Sequence, residues 1–441
     1  MGTSFLQVKE ATVILPSQHT PNSVLSLSSL DSQLFLRFTV EYLLIFDPPP
    51  PPSSGLDRRA FAARVKDALA RALVQYYPLA GRVQELPDGS GRLQVVCRDQ
   101  GVLFVEAVSG RTRPDFERAP RFVEEWRQLL CYHVNDVLKG DPALVVQLTW
   151  LADGSVAFGF GFNHCVCDGI GSAEFVNSFA ELTRGIGLRG ARPVWDRHLL
   201  DPFPTKQIPN RNSYSVSHPE FVRVQDRCGF MARFATEPLV PTSSVFTKLN
   251  VKELKRQTSR LTGSTSYTTF EVVSAHIWRC WAKSLNMPSN QVLKLLFSVN
   301  IRNRVKPGLP AGFYGNGFII GCAQTTVKDL TEKGLGFGSD LIRKAKEKVD
   351  DKHVREVAEL VSRNRTSQDL VGVLILSQWS RLGLERVDFG LGKPAHVGPI
   401  CCDKYCLLLP VQNEREGVRV MLAVPTTAVD MYQYLLRKPF S

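Results

Sequence analysis

Apolar residues recur along the chain at two spacings, one typical of helices and one typical of strands. Phe61, Val65, Leu69 and Leu73 lie one turn apart, which predicts a helix over 57–76 with one buried face. Short runs rich in β-branched and aromatic residues predict strands. In the N-terminal half these strands are predicted at 38–46, 91–97, 102–107, 144–150 and 155–162, with a second helix at 173–184.

The C-terminal half contains the same mixture. Helices are predicted at 251–261, 269–284, 340–352 and 353–364, and strands at 293–300, 318–326, 406–412 and 417–424. Interspersed helices and strands predict an α/β (α+β) protein. The stretch 193–219 holds five prolines and few periodic apolar residues. We interpret it as a crossover linker between an N-terminal domain, 1–192, and a C-terminal domain, 220–441.

Composition excludes several classes of protein. The 441 residues are 44% hydrophobic and 22% charged, close to globular averages, so the chain is neither disordered nor fibrous. Its apolar runs have the length of strands, well below the ~20 residues that a membrane span needs. Lys9 and Glu10 interrupt the apolar core that a signal peptide would require. We therefore expect a soluble cytoplasmic protein. A monomer is expected as well.

Basic residues outnumber acidic ones, 54 against 42, which gives a net charge of +12. The basic residues are scattered, and the sequence contains no zinc-finger motif, RNA-recognition signature or long basic run. We therefore do not expect a nucleic-acid partner. A small polyanionic ligand would be attracted equally well by this modest positive charge.

The segment with the clearest chemistry is 158–171, FGFGFNHCVCDGIG. A glycine-laced strand delivers His164 to a turn, and Asp168 follows four residues later. Imidazole suits a general base, because its ordinary pKa of about 6.5 lets it accept a proton near neutrality. Asp168 would orient the imidazole or brace the turn through an arginine, and a purely structural histidine is the alternative. A metal site is not expected, because strand alternation sends His164 and Cys165 to opposite faces.

Several motifs occur together in one order. The segment 164–169 resembles the H-x-x-x-D-G signature of the plant BAHD acyltransferases, which transfer acyl groups from coenzyme A thioesters, and 388–394, DFGLGKP, resembles their D-F-G-W-G-K-P motif. The other stretches that fit this family are 27–31 (LSSLD), 77–82 (YPLAGR), 275–279 (AHIWR), 300–304 (NIRNR) and 314–316 (YGN). The resemblance therefore extends over most of the chain.

The resemblance implies a fold. BAHD enzymes have two chloramphenicol-acetyltransferase-like domains, each a mixed β-sheet flanked by helices, with an active-site channel between them. By this resemblance His164 would lie midway along the channel. A segment that we place within 392–414 would return to extend the sheet of the first domain.

The resemblance also implies a reaction. His164 would remove the proton from the hydroxyl of a plant metabolite or alcohol, which would attack an acyl-CoA co-substrate directly, with no bound cofactor. The acyl group would be hydroxycinnamoyl, benzoyl, acetyl or fatty acyl. Transfer to an amine or polyamine is the alternative reaction, and a non-catalytic scaffold of the same fold is the alternative class.

The resemblance assigns roles to further residues. Asp168 would turn away from the substrate and pair with Arg302. Thr39 is comparable in position to an active-site threonine of hydroxycinnamoyl-transferring members and would bind the oxyanion or the substrate. Asp388 would be a second proton acceptor or would hold the channel wall. Leu391 stands where the family has tryptophan, so it would either reshape the channel or pack behind the turn.

Overall fold

Two six-stranded mixed sheets organise the protein. The computed structural model describes residues 6–48, 57–134, 136–202, 218–263, 267–363, 370–401, 403, 405–412 and 414–440. Residues 203–217 of the predicted linker lie outside this description. In the part of the chain that is described, no helix is both long enough and apolar enough to cross a membrane.

The strands of the first half, with one that returns from the second, are β1 (Leu6–Ile14), β2 (Ser23–Ser26), β3 (Thr39–Phe46), β4 (Arg82–Glu85), β5 (Leu93–Cys97), β6 (Val102–Ser109), β7 (Leu144–Trp150), β8 (Val156–Asn163) and β13 (His396–Pro399). The first sheet has the order β1-β6-β7-β8-β3-β13, and a three-stranded sheet has the order β2-β5-β4. Strands β6 and β7 run parallel, whereas β7 and β8 form an antiparallel hairpin. Gly154 in its turn has a φ of +86°, which explains why the sequence Asp-Gly predicts the hairpin correctly.

Two helices cover one face of this sheet. Helix α1 (Arg58–Gln75) begins after Asp57, whose side chain accepts hydrogen bonds from the first backbone N–H groups of the helix. It buries the predicted face, including Phe61 and Leu69. Helix α2 (Gly169–Thr183) packs beside α1 and starts four residues earlier than predicted, because Asp168 caps it.

The strands of the second sheet are β9 (Leu239–Phe246), β10 (Val292–Asn300), β11 (Phe318–Thr326), β12 (Val373–Gln378), β14 (Cys406–Val411) and β15 (Glu414–Pro425). Their order is β11-β10-β12-β14-β15-β9, which completes the predicted mixed architecture. Strand β12 runs parallel to both of its neighbours, and the other pairs are antiparallel.

The helices of the second half are α3 (Phe230–Thr236), α4 (Lys248–Thr262), α5 (Thr269–Ser284), α6 (Val327–Glu332), α7 (Gly334–Glu347), α8 (Asp351–Arg363) and α9 (Val429–Arg437). The helix predicted at 340–352 starts earlier, at Gly334. Its glycine-rich first turns give no helical signal in the sequence, yet they fit a close crossing of α7 and α5. A Cβ atom on Gly338 would lie only 3.3 Å from the Cβ of Ala275.

The segment that returns to the first sheet is shorter than the predicted range 392–414. Strand β13 pairs antiparallel with β3, from His396 opposite Ile45 to Pro399 opposite Tyr42. Strand β14 lies inside the same range but pairs with β12 and β15 of the second sheet. The chain therefore crosses from one sheet to the other between Pro399 and Cys406.

Candidate active site

His164 follows β8 directly and lies between the two sheets. Its backbone N–H donates to the carbonyl of Phe38, the residue before β3, over 3.0 Å. Its ring lies near two aromatic rings, Phe38 at 5.2 Å and Phe318 at 5.9 Å between centroids. Burial is the largest cause that holds the pKa of His164 below its ordinary value, so the imidazole is neutral at pH 7.

Asn316 fixes which nitrogen of His164 carries the proton. The Asn316 Nδ2 group donates to a carboxylate oxygen of Asp31 and to the carbonyl of His164, both over 2.8 Å. These acceptors assign the amide orientation, so Oδ1 faces His164 Nδ1 at 3.2 Å as an acceptor. Nδ1 therefore donates, and Nε2 is the unprotonated nitrogen.

A buried ion pair supports Asn316. The Oδ1 atom of Asp31 accepts from the backbone N–H of Asn316 over 3.1 Å and from Nη1 of Arg197 over 2.8 Å. Asp31 and Arg197 are 0% and 2% exposed. The Arg197 guanidinium also donates to the carbonyl of Val166, two residues after the histidine. This network therefore ties the His164 turn to residues from three distant parts of the sequence.

Asp168 forms the ion pair with Arg302 that the resemblance implies. The guanidinium donates from Nη1 to Oδ2 over 2.8 Å and from Nη2 to Oδ1 over 2.9 Å. The backbone N–H groups of Gly171 and Gly317 donate to the same carboxylate. Four donors occupy Asp168, so it braces the turn and joins the two halves of the chain.

The close packing around the Asp168–Arg302 ion pair requires glycine at two positions. A Cβ atom on Gly171 would lie 2.0 Å from the carbonyl oxygen of Tyr314, and one on Gly317 would lie 2.6 Å from Nη1 of Arg302. A residue larger than glycine at 171 would push the backbone of Tyr314 away from the start of α2, and one at 317 would displace the Arg302 guanidinium from Asp168. Tyr314 is two residues from Asn316, so Gly171 also serves the position of His164.

A cavity of ≈ 1020 Å³ opens beside His164 and is lined by residues of both sheets. On the side of the first sheet, Phe38, Val40 and Tyr42 face it. On the other side, β10 and β12 line it together with helices of the second half. His164 and Asp168 both contribute to its wall, so the histidine is accessible to a ligand inside it.

Thr39 faces away from this cavity. Side chains alternate along a strand, and Val40 and Tyr42 line the cavity, so Thr39 lies on the opposite face of β3. There its methyl group would be 3.0 Å from a Cβ atom placed on Gly161. The expectation that Thr39 binds the oxyanion is not met in this geometry, because the sequence locates the strand but not its face.

Asp388 lies at the other end of α2 from Asp168. Its Oδ1 accepts from the backbone N–H groups of Gly390 and Gly392 over 2.7 and 2.9 Å, and its Oδ2 lies 3.2 Å from Nη1 of Arg184. Arg184 is the C-terminal cap of a 15-residue helix, so the length of the helix, roughly 22 Å, separates Asp388 from the N-terminal turn. This geometry fits a turn-holding residue and not a proton acceptor.

Leu391 packs against the core of the first half and is absent from the described residues that line the cavity. It lies between two glycines with positive φ, +89° at Gly390 and +81° at Gly392. The neighbouring Phe389 is fully buried and stacks on Phe158 at 4.2 Å. This geometry therefore supports the interpretation that Leu391 packs behind the turn, and not the one in which it reshapes the channel.

The sequence patterns alone assign no role to Asn316, Asp31 or Arg197. The first two stand in motifs that carry the family resemblance, 314–316 and 27–31, so a signal was present. Arg197 lies in the predicted linker, 193–219, where the sequence contains no motif or apolar periodicity that would indicate a role for it. Its guanidinium lies 4.1 Å from the ring centroid of Trp195, which gives that otherwise irregular stretch a fixed position.

Known proteins match this chain over nearly its whole length. The Transferase family matches residues 5–434 of the chain. An omega-hydroxypalmitate O-feruloyl transferase of Arabidopsis thaliana is 32% identical over 440 residues, covering 96% of this chain and 91% of that protein. A fatty alcohol:caffeoyl-CoA acyltransferase of Arabidopsis thaliana is 29% identical and covers 97% of each chain. The crystal structure of vinorine synthase is similar in fold, with a TM-score of 0.76, 23% identity and 98% coverage of both chains.

Proposed function

The chain belongs to the Transferase family, the BAHD acyltransferases, and from this premise we propose that His164 is the general base of its acyl transfer. The enzyme is an O-acyltransferase that uses acyl-CoA as co-substrate. The observation that carries the proposal is the proton assignment on His164. Asn316 accepts from Nδ1, so Nε2 is the basic nitrogen of a side chain that lines the cavity.

The proposed reaction has two chemical steps. Nε2 of His164 takes the proton of the acceptor hydroxyl while its oxygen attacks the thioester carbonyl, which forms a tetrahedral oxyanion. The oxyanion then collapses, the carbon–sulfur bond breaks, and the imidazolium returns its proton to the departing thiolate. The products are an ester and free coenzyme A, and His164 regains its initial state.

Direct transfer is preferred over an acyl-enzyme. Cys165 and Cys167 are the thiols nearest in sequence to His164, and both are buried in the core of the first half. Burial raises the pKa of both thiols, which suppresses the thiolate that a nucleophile requires.

We propose an acceptor alcohol with a long apolar body. The part of the cavity lined by the second half is rich in large apolar side chains, namely Phe230, Phe234, Leu239, Phe270, Trp281 and Leu422. Contact with such a wall favours an aliphatic chain over a polyol, because burying each CH₂ group contributes about 0.8 kcal/mol. The acceptors in the names of the two relatives, omega-hydroxypalmitate and a fatty alcohol, support this class.

We propose a hydroxycinnamoyl thioester as the donor. Phe38, Phe318 and Tyr405 line the cavity around His164, with the rings of Phe38 and Tyr405 at 5.8 Å. Flat aromatic acyl groups pack well in such a cluster. The feruloyl and caffeoyl groups in the names of the relatives agree with this donor.

The proposed working unit is a cytoplasmic monomer with two domains: 1–192 together with the returning strand β13, and the rest of 220–441. One chain supplies every residue of the site described above, which supports a monomer. The cysteines among the described residues are all free thiols, which suits a reducing compartment.

The test is a matrix of donors and acceptors followed by mass spectrometry. Feruloyl-, caffeoyl-, benzoyl- and acetyl-CoA are each combined with 1-hexadecanol, 1-hexanol, a sugar alcohol and a diamine. We expect esters, with kcat/KM highest for a hydroxycinnamoyl donor and increasing from hexanol to hexadecanol. Faster amide formation with the diamine, or preference for the sugar alcohol, would contradict the proposal.

A further inference from the structure

Part of the cavity's edge is apolar and faces the surrounding solvent. Met231 of α3 and Leu370, three residues before β12, both line the cavity, and they are 43% and 45% exposed. Apolar residues scattered singly over a surface need no partner, whereas two at the edge of one cavity mark a place of contact. We call Met231 and Leu370 the apolar rim.

The two segments that carry the apolar rim meet at Gln291, which is 0% exposed. Its Oε1 accepts from the backbone N–H of Arg227 over 2.9 Å, and its Nε2 donates to the carbonyl of Gln225 over 3.1 Å. On its other side, a Cβ atom on Gly372 would lie 3.6 Å from Nε2 of Gln291. The buried amide therefore holds the two segments side by side.

The apolar rim lies at the end of the cavity remote from His164. Strands β10 and β12 run parallel with Lys294 opposite Val373, so the residues just before β12 lie at the start of both strands. Asn300, at the other end of β10, pairs with Phe318, whose ring is 5.9 Å from that of His164. From Lys294 to Asn300 the strand spans roughly 20 Å. An alkyl chain whose hydroxyl lies at His164 can therefore extend along the cavity toward the rim.

Cations accompany the apolar rim. Arg223 and Arg227 are exposed in the segment before α3. The carboxylate between them, Asp226, accepts from three backbone N–H groups around the start of α3. Residues 220–441 contain 32 Lys and Arg against 20 Asp and Glu, so the whole net charge of +12 lies in this half of the chain. An anionic surface is therefore attracted to this side of the protein.

We propose that the apolar rim, with Arg223 and Arg227, contacts an anionic lipid surface from which the long-chain alcohol enters the cavity. This inference rests on the proposed function for the identity of the alcohol, whereas the contact with lipid is a property of the chain itself. The apolar side chains enter the boundary between head groups and acyl chains, and the arginines attract the anionic head groups. A second copy of the chain is a poorer occupant, because it would bring four arginines together.

The experiment is flotation of the full chain with vesicles, in the absence of any substrate. One set contains phosphatidylcholine alone, and the other contains equal parts of phosphatidylcholine and phosphatidylserine. We expect the chain to float with the mixed vesicles, and less of it as the salt concentration increases, because salt screens the charges. No flotation with the mixed vesicles, or equal flotation with both sets, would overturn the proposal.

The absence of substrate separates this test from that of the proposed function. A chain that does not float leaves the class of acceptor standing and overturns only the lipid contact. Failure of the hexadecanol reaction contradicts the class of acceptor and leaves the flotation result unaffected. Where both succeed, kcat/KM for hexadecanol carried in mixed vesicles should exceed that for hexadecanol in neutral vesicles, and equal values would overturn the entry of the alcohol from the bound surface.

Apolar variants locate the contact. Met231→Gln/Leu370→Gln should lower the partition coefficient into mixed vesicles ~10-fold, because it removes the side chains that enter the lipid. Both positions are exposed, so the fold should be retained. Leu249→Gln is the matched control, at a leucine of α4 that is 76% exposed and does not line the cavity, and it should float as the wild type does.

Charge variants test the choice of an anionic surface. Arg223→Gln/Arg227→Gln should reduce flotation with the mixed vesicles and make it less sensitive to salt. Arg98→Gln, at an exposed arginine of the first half, is the control and should float as the wild type does. Equal flotation of the wild type and both double variants would place the lipid contact elsewhere on the protein and overturn the proposal.

Discussion

The Nδ1 atom of His164 lies 3.2 Å from Oδ1 of Asn316, although 152 residues separate them in the chain. Because the amide N–H₂ of Asn316 is held by Asp31 and by the backbone of His164, its oxygen can only accept. The contact therefore holds one tautomer, in which Nε2 is free to act as a base. We therefore propose that Asn316 is a positioning residue for His164.

Asn316→Leu removes the acceptor and keeps the approximate volume. We expect kcat to fall ~10²-fold, because the wrong tautomer leaves no basic Nε2. Activity is lost as pH falls through the pKa of His164, which burial holds below 6.5, and Asn316 raises that pKa. The acid limb of kcat/KM should therefore move to lower pH in the variant. Asn303→Leu, at an exposed asparagine, is the control, and an unmoved acid limb would show that Asn316 is only structural.

Asp168→Asn should lose activity and stability together. It leaves the Arg302 guanidinium without its carboxylate, and breaking a buried charge pair costs about 3–5 kcal/mol. The melting temperature and kcat are measured on the same preparation. Lost activity with an unchanged melting temperature would point to a direct catalytic role for Asp168 instead.

Asp388→Ala should act mainly on stability. It removes the acceptor of two backbone hydrogen bonds, with an expected cost of about 1–3 kcal/mol, while kcat of the folded enzyme stays within about tenfold of wild type. Asp388→Asn keeps an acceptor oxygen and should recover most of the stability. A large fall in kcat for both variants without a change in melting temperature would make Asp388 catalytic.

Leu391→Trp should not change substrate preference. The side chain packs on the core of the first half, so a larger ring strains the turn and costs about 1–3 kcal/mol. The check is kcat/KM for feruloyl-, benzoyl- and acetyl-CoA in the wild type and the variant, beside melting temperatures. We expect one common factor and a lower melting temperature; a change in the ratio between donors would instead place Leu391 at the channel.

Local signals explain most of what the sequence predicts correctly. The helix face of Phe61, Val65 and Leu69 and the Asp-Gly hairpin are set by neighbours within a few residues. Strands β1 and β9 are edge strands that the pattern did not predict, and most side chains of β1 are exposed, so no apolar run marks it. Strand β12 was also not predicted, although it lies between β10 and β14 inside the second sheet.

In the candidate site, the important contacts join residues that are far apart in the sequence. The brace between Asp168 and Arg302 could be expected because both residues stand in motifs of a known family. The contact of Asn316 with Asp31 joins residues 285 positions apart, and no local pattern encodes such a distance. The face of Thr39 and the remote position of Asp388 likewise depend on the register of β3 and on the length of α2, which only the folded chain defines.

The role of His164 is tested most directly by the single-turnover rate of acyl transfer in His164→Ala, measured together with the Kd of coenzyme A. A general base contributes ~10²–10⁴ in rate, so we expect a loss of that size. The Kd and the melting temperature should stay close to those of the wild type, because the Asp168–Arg302 brace is intact. A wild-type rate in His164→Ala would contradict the account, since Nε2 of His164 would then take no part in the proton transfer.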